Sequence, residues 1–172
     1  LEEADAARHA FSETLGADHP YVWFPNFTAA RAEQGLGRST AAQQRIAATL
    51  QHYREQDDPG MQLRVQQVQT ELALDAGEIG LAAESTQQAA PLLHPLPENS
   101  LSRHWSEALQ AATELMQPSP QAMPDLQRRA LAQRTLQRSA NALAAALGEH
   151  HSRVQRIRRW MALAAPTAKR ST

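Results

Sequence analysis

The sequence predicts an all-α protein, and three observations carry that expectation. Only 5% of the 172 residues are aromatic while Ala, Leu and Gln abound, a balance that favours helix over sheet. Leu15-Gly16-Ala17-Asp18-His19-Pro20 places a helix stop and a helix start within a few residues. Gly16 suits the left-handed residue that closes a helix, Asp18 is a good N-cap, and Pro20 fits a first turn where its missing N–H is no loss. Helices joined so tightly pack side by side and roughly antiparallel. Third, apolar residues recur at helical steps in several segments, and a chain of this length holds about eight short helices with a sizeable core.

Taken in order, residues 2 to 15 form a helix with Ala7, Ala10, Phe11 and Leu15 on one face, read as the second helix of a truncated pair. A pair follows, from about Pro20 to Gln34 and from Ser39 to about Glu55. Pro25 either kinks its first helix or marks that helix's true start. Asp57-Asp58-Pro59-Gly60 repeats the stop-and-cap chemistry. The next pair runs from Met61 to Ala76, carrying Val65, Val68 and Leu72, and from Ile79 to Ala90, where Pro91, Pro95 and Pro97 end it. Leu101, Trp105, Ala108, Ala112 and Leu115 define the clearest helix, over 99–116, capped by Asn99 or Ser100. Pro118, Pro120 and Pro124 make 117–124 a loop and the best internal boundary. A long helix from Asp125 to Leu147 places Leu136, Ala140, Leu143 and Leu147 on one stripe. Leu147-Gly148 and His151-x-x-Val154 then repeat Leu15-Gly16 and His19-x-x-Val22 at a separation of 132 residues. Ser152 and Gln155 form a capping box for a last helix with Val154, Ile157, Met161 and Ala164 facing inward, and 165–172 is a frayed tail.

A longer period is also present. Gly37 and Ala42 recur forty residues on as Gly77 and Ala82, followed by Ala89. Together with Leu15-Gly16-x-Asp18-His19-Pro20-x-Val22, Gly37-Arg38, Ile46 and Leu50, this pattern resembles the tetratricopeptide repeat in its longer, kinesin-light-chain-like form, over roughly residues 1–116. In that family a Gly ends the first helix of a pair and a small residue five positions later lets the second helix approach. The resemblance implies a right-handed α-solenoid whose first helices line a concave side. The basic helices over 125–164 would cap it, since a solenoid must cover its last apolar face. Repeats of this kind resemble regions of bacterial serine/threonine kinases and transcriptional regulators, which implies a recruitment role within a larger signalling protein. The opening at Leu1, inside a helical pattern, reads as a piece of such a longer chain.

No enzymatic chemistry is expected from this stretch. No phosphate-cradling glycine loop, Gly-x-Ser-x-Gly or paired-carboxylate motif is present, and the histidines lack metal-ligand spacing, so neither catalytic residues, metal nor cofactor is assigned. The absence of cysteine removes disulfides and thiolate chemistry. Junction histidines are read as caps. No apolar run approaches the length that spans a bilayer, and the expected location is the cytoplasm, or the periplasm if a membrane helix lies upstream.

Two features stand out from this background. Tyr21, Trp23, Phe24 and Phe27 are four of the eight aromatic residues, gathered around Pro25. They read either as a peptide-docking platform or as packing that seals the first helix, the second being preferred. Charge is also divided: residues 1–120 carry a net −9 and residues 121–172 a net +8. Arg128, Arg129, Arg134, Arg138, Arg153, Arg156, Arg158 and Arg159 dominate the basic part. They read as a solvated capping face, as an attachment for the acidic part of a second copy, or as a contact for nucleic acid or anionic lipid. Nucleic acid is disfavoured because no aromatic or recognition-helix pattern accompanies them. If the forty-residue period lines a groove, Phe27, Gln67 and Glu107 form one row and Arg31, Glu71 and Ala111 another. Phe24, Gln34 and Arg64 join them as candidates for holding a protein or peptide partner. The rows lack the Lys and Asn run with which some relatives of the family clamp a peptide carboxylate.

Overall fold

Two glycines forty residues apart set the rhythm of the first half of the chain. Gly37 and Gly77 sit at φ 73° and 75°, a region that costs other L-residues about 1 kcal/mol or more. In both places the next N–H reaches back to close the helix end, Arg38 to the Glu33 carbonyl at 2.8 Å and Glu78 to the Ala73 carbonyl at 2.8 Å. Each closure is followed at once by a new helix, so the chain folds into hairpins.

The computed structural model describes residues 1–17, 19–117 and 125–164. Among these lie eight α-helices and no strand: α1 Glu2–Leu15, α2 Pro25–Gly35, α3 Ser39–Glu55, α4 Pro59–Ala76, α5 Ile79–Ala89, α6 Leu101–Met116, α7 Asp125–Leu147 and α8 Ser152–Ala164. Short 3-10 turns cover Pro20–Trp23 and Ala90–Leu93. Pro25 is the start of α2, not a kink within a longer helix. The segment 118–124, the tail 165–172 and the cap expected at Asp18 lie outside the described residues. No described helix is long and apolar enough to cross a membrane.

The caps follow residue chemistry. Asp58 accepts the Met61 N–H at 2.9 Å ahead of Pro59 and α4, and Ser100 accepts the Arg103 N–H at 3.2 Å at the head of α6. The repeated Gly-x-x-His motif gives the same local structure twice. His19 Nδ1 accepts the Tyr21 N–H at 3.3 Å, and His151 Nδ1 accepts the Arg153 N–H at 3.2 Å. The capping box expected of Ser152 and Gln155 is replaced by this arrangement. Ser152 is already helical, so His151 holds the cap position, and the Gln155 amide donates to the Glu149 carbonyl at 2.8 Å.

The described chain forms two compact units that divide after His94, within the Pro91–Pro97 stretch. In the first, Phe27 and Ala30 of α2, Ala42, Ile46, Leu50 and Tyr53 of α3, and Val65, Val68 and Leu72 of α4 form one buried cluster. Ala30, Ala42 and, in α5, Ala82 are fully buried, which is where close helix approach requires a small side chain. Burial of Ile46 or Val65 contributes about 1.5–3 kcal/mol each. Two buried polar groups are matched in series: the Asn26 amide donates to the Thr49 hydroxyl at 2.8 Å, and Thr49 donates to the Arg45 carbonyl at 2.8 Å.

Helix α1 forms over the expected residues but buries none of them, and its apolar face leaves Phe11 40% and Leu15 42% exposed. It rests on α2 and the first 3-10 turn, and Asp5 reaches Arg45 at 3.0 Å.

In the second unit, α6, α7 and α8 pack on one another, so α6, read from sequence with the preceding repeats, shares its core with the basic helices. Trp105 is fully buried and stacks on Trp160, ring centres 5.7 Å apart. Leu109, Leu136, Leu143, Val154 and Ile157 complete the centre. Leu147, expected on the same stripe, is 36% exposed at the helix end.

Candidate functional site

The aromatic cluster is shared out by depth. Phe27 is core, 4% exposed, whereas Tyr21 is 57% exposed. Trp23 stacks on His52 with ring centres 4.4 Å apart, and the Arg8 guanidinium lies 4.9 Å above the indole. Phe24 meets Phe27 edge-on at 5.9 Å and Tyr21 at 5.3 Å. The segment therefore seals the first unit and also presents part of itself outward.

What it presents is one wall of a groove of about 430 Å³. Phe24, just ahead of α2, and Pro25, Phe27, Thr28 and Arg31 of α2 form that wall. Glu3, Ala4, Ala7 and Phe11 of α1 form the other, and Arg64 of α4 closes one rim. The Arg64 guanidinium sits 5.5 Å from the Phe24 ring centre and 5.6 Å from that of Phe27, a cation–π placement that holds positive charge over an apolar floor. Arg31 reaches across to Glu71 at 3.1 Å, a link between α2 and α4 from residues forty apart.

Four of the eight sequence-designated peptide contacts, Phe24, Phe27, Arg31 and Arg64, thus converge on one groove. The others do not line it. Gln34 is half-buried, and Gln67 and Glu71 are buried, each 4% exposed, so the rows drawn by periodicity run partly through the interior. Glu107 belongs to the second unit, where it pairs with Arg138 at 3.0 Å. Glu3 and Thr28 were not singled out from the sequence. Ala7 and Phe11 were, though only as part of one helix face, and their apolar character was the available signal.

Apart from the groove, a polar anchor ties α1, α2 and α3 together. Arg45 of α3 holds Glu33 of α2 at 2.7 Å through a forked contact and Asp5 of α1 at 3.0 Å. The hydrogen bonds that Arg45 donates to Glu33, which outweigh the cost of burial, raise the guanidinium's pKa above its usual range. Tyr53, fully buried, donates its hydroxyl to the Pro20 carbonyl at 2.7 Å, and desolvation, helped by the nearby Asp58 charge, pushes its pKa up to about 12.

The basic residues of the second unit are largely engaged. Arg128 donates to the Glu114 carbonyl at 2.6 Å, Arg138 pairs with Glu107, and Arg158 pairs with Glu149. Arg153 lies 5.0 Å over the Trp105 ring. Arg129 and Arg156 are half-buried with interactions of their own, while Arg134 and Arg159 are exposed. Six of the eight arginines thus have interactions of their own, and none of the eight is fully buried. Among the described residues, no three His, Asp or Glu side chains converge as metal ligands. No protein-family model, curated protein or solved structure matches this chain.

Proposed function

We propose that this chain is a protein-interaction module whose first unit holds a peptide or helix of another protein in the groove between α1 and α2. The observation that carries the reading is the convergence of Phe24, Phe27, Arg31 and Arg64 on one open, largely apolar space. Aromatic and arginine side chains that meet in a partly desolvated cleft are the residue types that anchor protein interfaces.

The proposal includes a tetratricopeptide-like, right-handed stacking of helix pairs. Its support is the forty-residue recurrence of the Gly37 and Gly77 helix ends, the buried Ala42 and Ala82 that follow them, and the side-by-side packing of the first helices α2 and α4. Recruitment is the mechanism: a preformed groove captures a segment and raises its effective concentration near a linked output domain, as in the bacterial signalling proteins whose repeats the sequence resembles.

Selection of displayed random peptides on the full chain tests this reading. Enriched sequences should bind the wild type and be lost on Phe24→Ser/Arg64→Ser, which alters the groove wall and rim and is first shown to be folded by circular dichroism because Phe24 also packs against the buried cluster. Enrichment that ignores this double variant would remove the groove from the account.

A further inference from the structure

We propose that the two histidine-capped junctions of the chain are acid-sensitive latches. A proton taken up at His19 releases the Pro20–Trp23 turn in the first unit, and one taken up at His151 releases the start of α8 in the second. The latches stand apart from the groove and from whatever the groove binds.

The same junction is built twice from the same residues. Leu15-Gly16 and Leu147-Gly148 each end a helix, with the glycine at positive φ, 90° in one place and 91° in the other. In both, the N–H of the histidine three residues on donates to the glycine carbonyl at 3.2 Å. The imidazole Nδ1 then accepts the N–H two residues further along, that of Tyr21 at 3.3 Å and of Arg153 at 3.2 Å. The valine that follows, Val22 or Val154, is buried. Histidine is not the only cap the chain uses. Asp58 caps α4 and Ser100 caps α6, one in each unit.

The two kinds of cap differ in what acid does to them. A carboxylate or hydroxyl keeps its acceptor lone pairs between about pH 5 and 8, the range in which histidine ordinarily exchanges its proton. Accepting at Nδ1 requires the neutral imidazole with its proton on Nε2, whereas an imidazolium carries N–H on both nitrogens and accepts nothing. Proton uptake therefore sets an N–H against an N–H. At α8 it also places positive charge at a helix N-terminus, which the macrodipole opposes. Each cap thus contributes where the imidazole is neutral and is lost as pH falls through the histidine range. Around the first junction, α1 brings Asp5, Arg8 and His9 to the space beside Val22 and Trp23, α3 brings His52 and Tyr53, and the first turn of α2 carries no charge. Around the second, Glu149 and His150 share the turn, α8 brings Arg153, which lies over Trp105 of α6, and Arg158, and the last turn of α7 carries no charge. The carboxylates among these are already paired, Asp5 with Arg45 and Glu149 with Arg158.

Amide hydrogen exchange followed by NMR on the full chain, at about pH 7.5 and about pH 5.5, tests the latches, with each rate taken relative to an unstructured chain at the same pH. Protection at the Tyr21 and Arg153 amides should fall about fivefold at the lower pH, the size of one lost N-cap. Met61 and Arg103, whose amides are held by Asp58 and Ser100, should keep theirs and serve as controls within the same molecule. His19→Asn and His151→Asn supply an acceptor that does not titrate, so each should flatten the response at its own junction and leave the other unchanged. Long-range imidazole nitrogen spectra should show Nδ1 without a proton in both residues at the higher pH. Protection that is independent of pH in the wild type, an equal fall at Met61 and Arg103, a response that survives in the asparagine variants, or a protonated Nδ1 at the higher pH overturns the proposal.

Discussion

Replacing Arg45 by methionine removes the charge that Glu33 faces while keeping much of the side-chain volume. Glu33 is only 5% exposed and accepts a forked contact from Arg45, so Arg45→Met leaves a buried carboxylate without its counter-charge. Breaking one partner of a buried pair costs about 3–5 kcal/mol. The Arg45 side chain retains 19% exposure, which admits some water and places the expected loss near the lower figure, about 3 kcal/mol. A unit of 60–100 residues should then melt more than about 10 °C lower. Urea titration followed by Trp23 fluorescence reads the first unit, since the other tryptophans, Trp105 and Trp160, lie in the second. Adding Glu33→Leu to Arg45→Met should restore most of the loss, because a buried pair replaced by apolar side chains is close to neutral. A loss below about 1 kcal/mol in the single variant, or a double variant no more stable than the single, refutes the reasoning.

Other consequences are equally direct. Asp5→Ala removes the arm of the same network whose carboxylate is 54% exposed, so it should cost at most about 1 kcal/mol and chiefly speed amide exchange in α1. Tyr53, with its pKa raised from 10.0 to about 12, favours the protonated form in the folded state. Its contribution, of about 3 kcal/mol, is whole below pH ~10 and fades as pH rises towards 12. Alkaline titration should therefore show a steeper stability loss for wild type than for Tyr53→Phe, a comparison made cleaner by the chain having a single lysine, Lys169. Gly77→Ala should cost about 1 kcal/mol by urea denaturation through conformation alone, since a Cβ there meets nothing within 4 Å. Leu143→Ala, at a fully buried site, should cost about 2–5 kcal/mol and register in the Trp105–Trp160 fluorescence of the second unit.

Helix positions were legible because their punctuation is local. Gly37, Gly77, Asp58-Pro59 and Ser100 act within a few residues of themselves, and each stop and start fell close to where those residues placed it. The histidine caps at His19 and His151 were legible as a repeated motif, while the expected Ser152 box was not realised because that serine begins the helix itself. Burial was harder to read, since it depends on what covers a face. The α1 stripe has the apolar pattern of a core helix, yet the described residues of the first unit leave Phe11 and Leu15 partly exposed. Periodicity alone also sent Gln67 and Glu71 to a surface that they do not reach, because polar side chains carry no local signal that a partner across forty residues, such as Arg31, will hold one of them inside. The site itself was half legible: the Phe24–Arg31 wall is a cluster in sequence, whereas the Glu3–Phe11 wall meets it only through folding.

The central claim is that the Phe24–Arg64 groove, and not the arginines of the second unit, is the functional surface. The most direct measurement is parallel capture of binding partners by the wild-type chain, Phe24→Ser/Arg64→Ser and Arg134→Glu/Arg159→Glu, at low and high salt, with each protein first shown to be folded by circular dichroism. The account predicts a specific protein retained by the wild type and by the arginine-reversed variant, lost only from the groove variant, and little affected by salt. Capture of nucleic acid that vanishes with salt and with Arg134→Glu/Arg159→Glu, while the groove variant behaves as wild type, would contradict it.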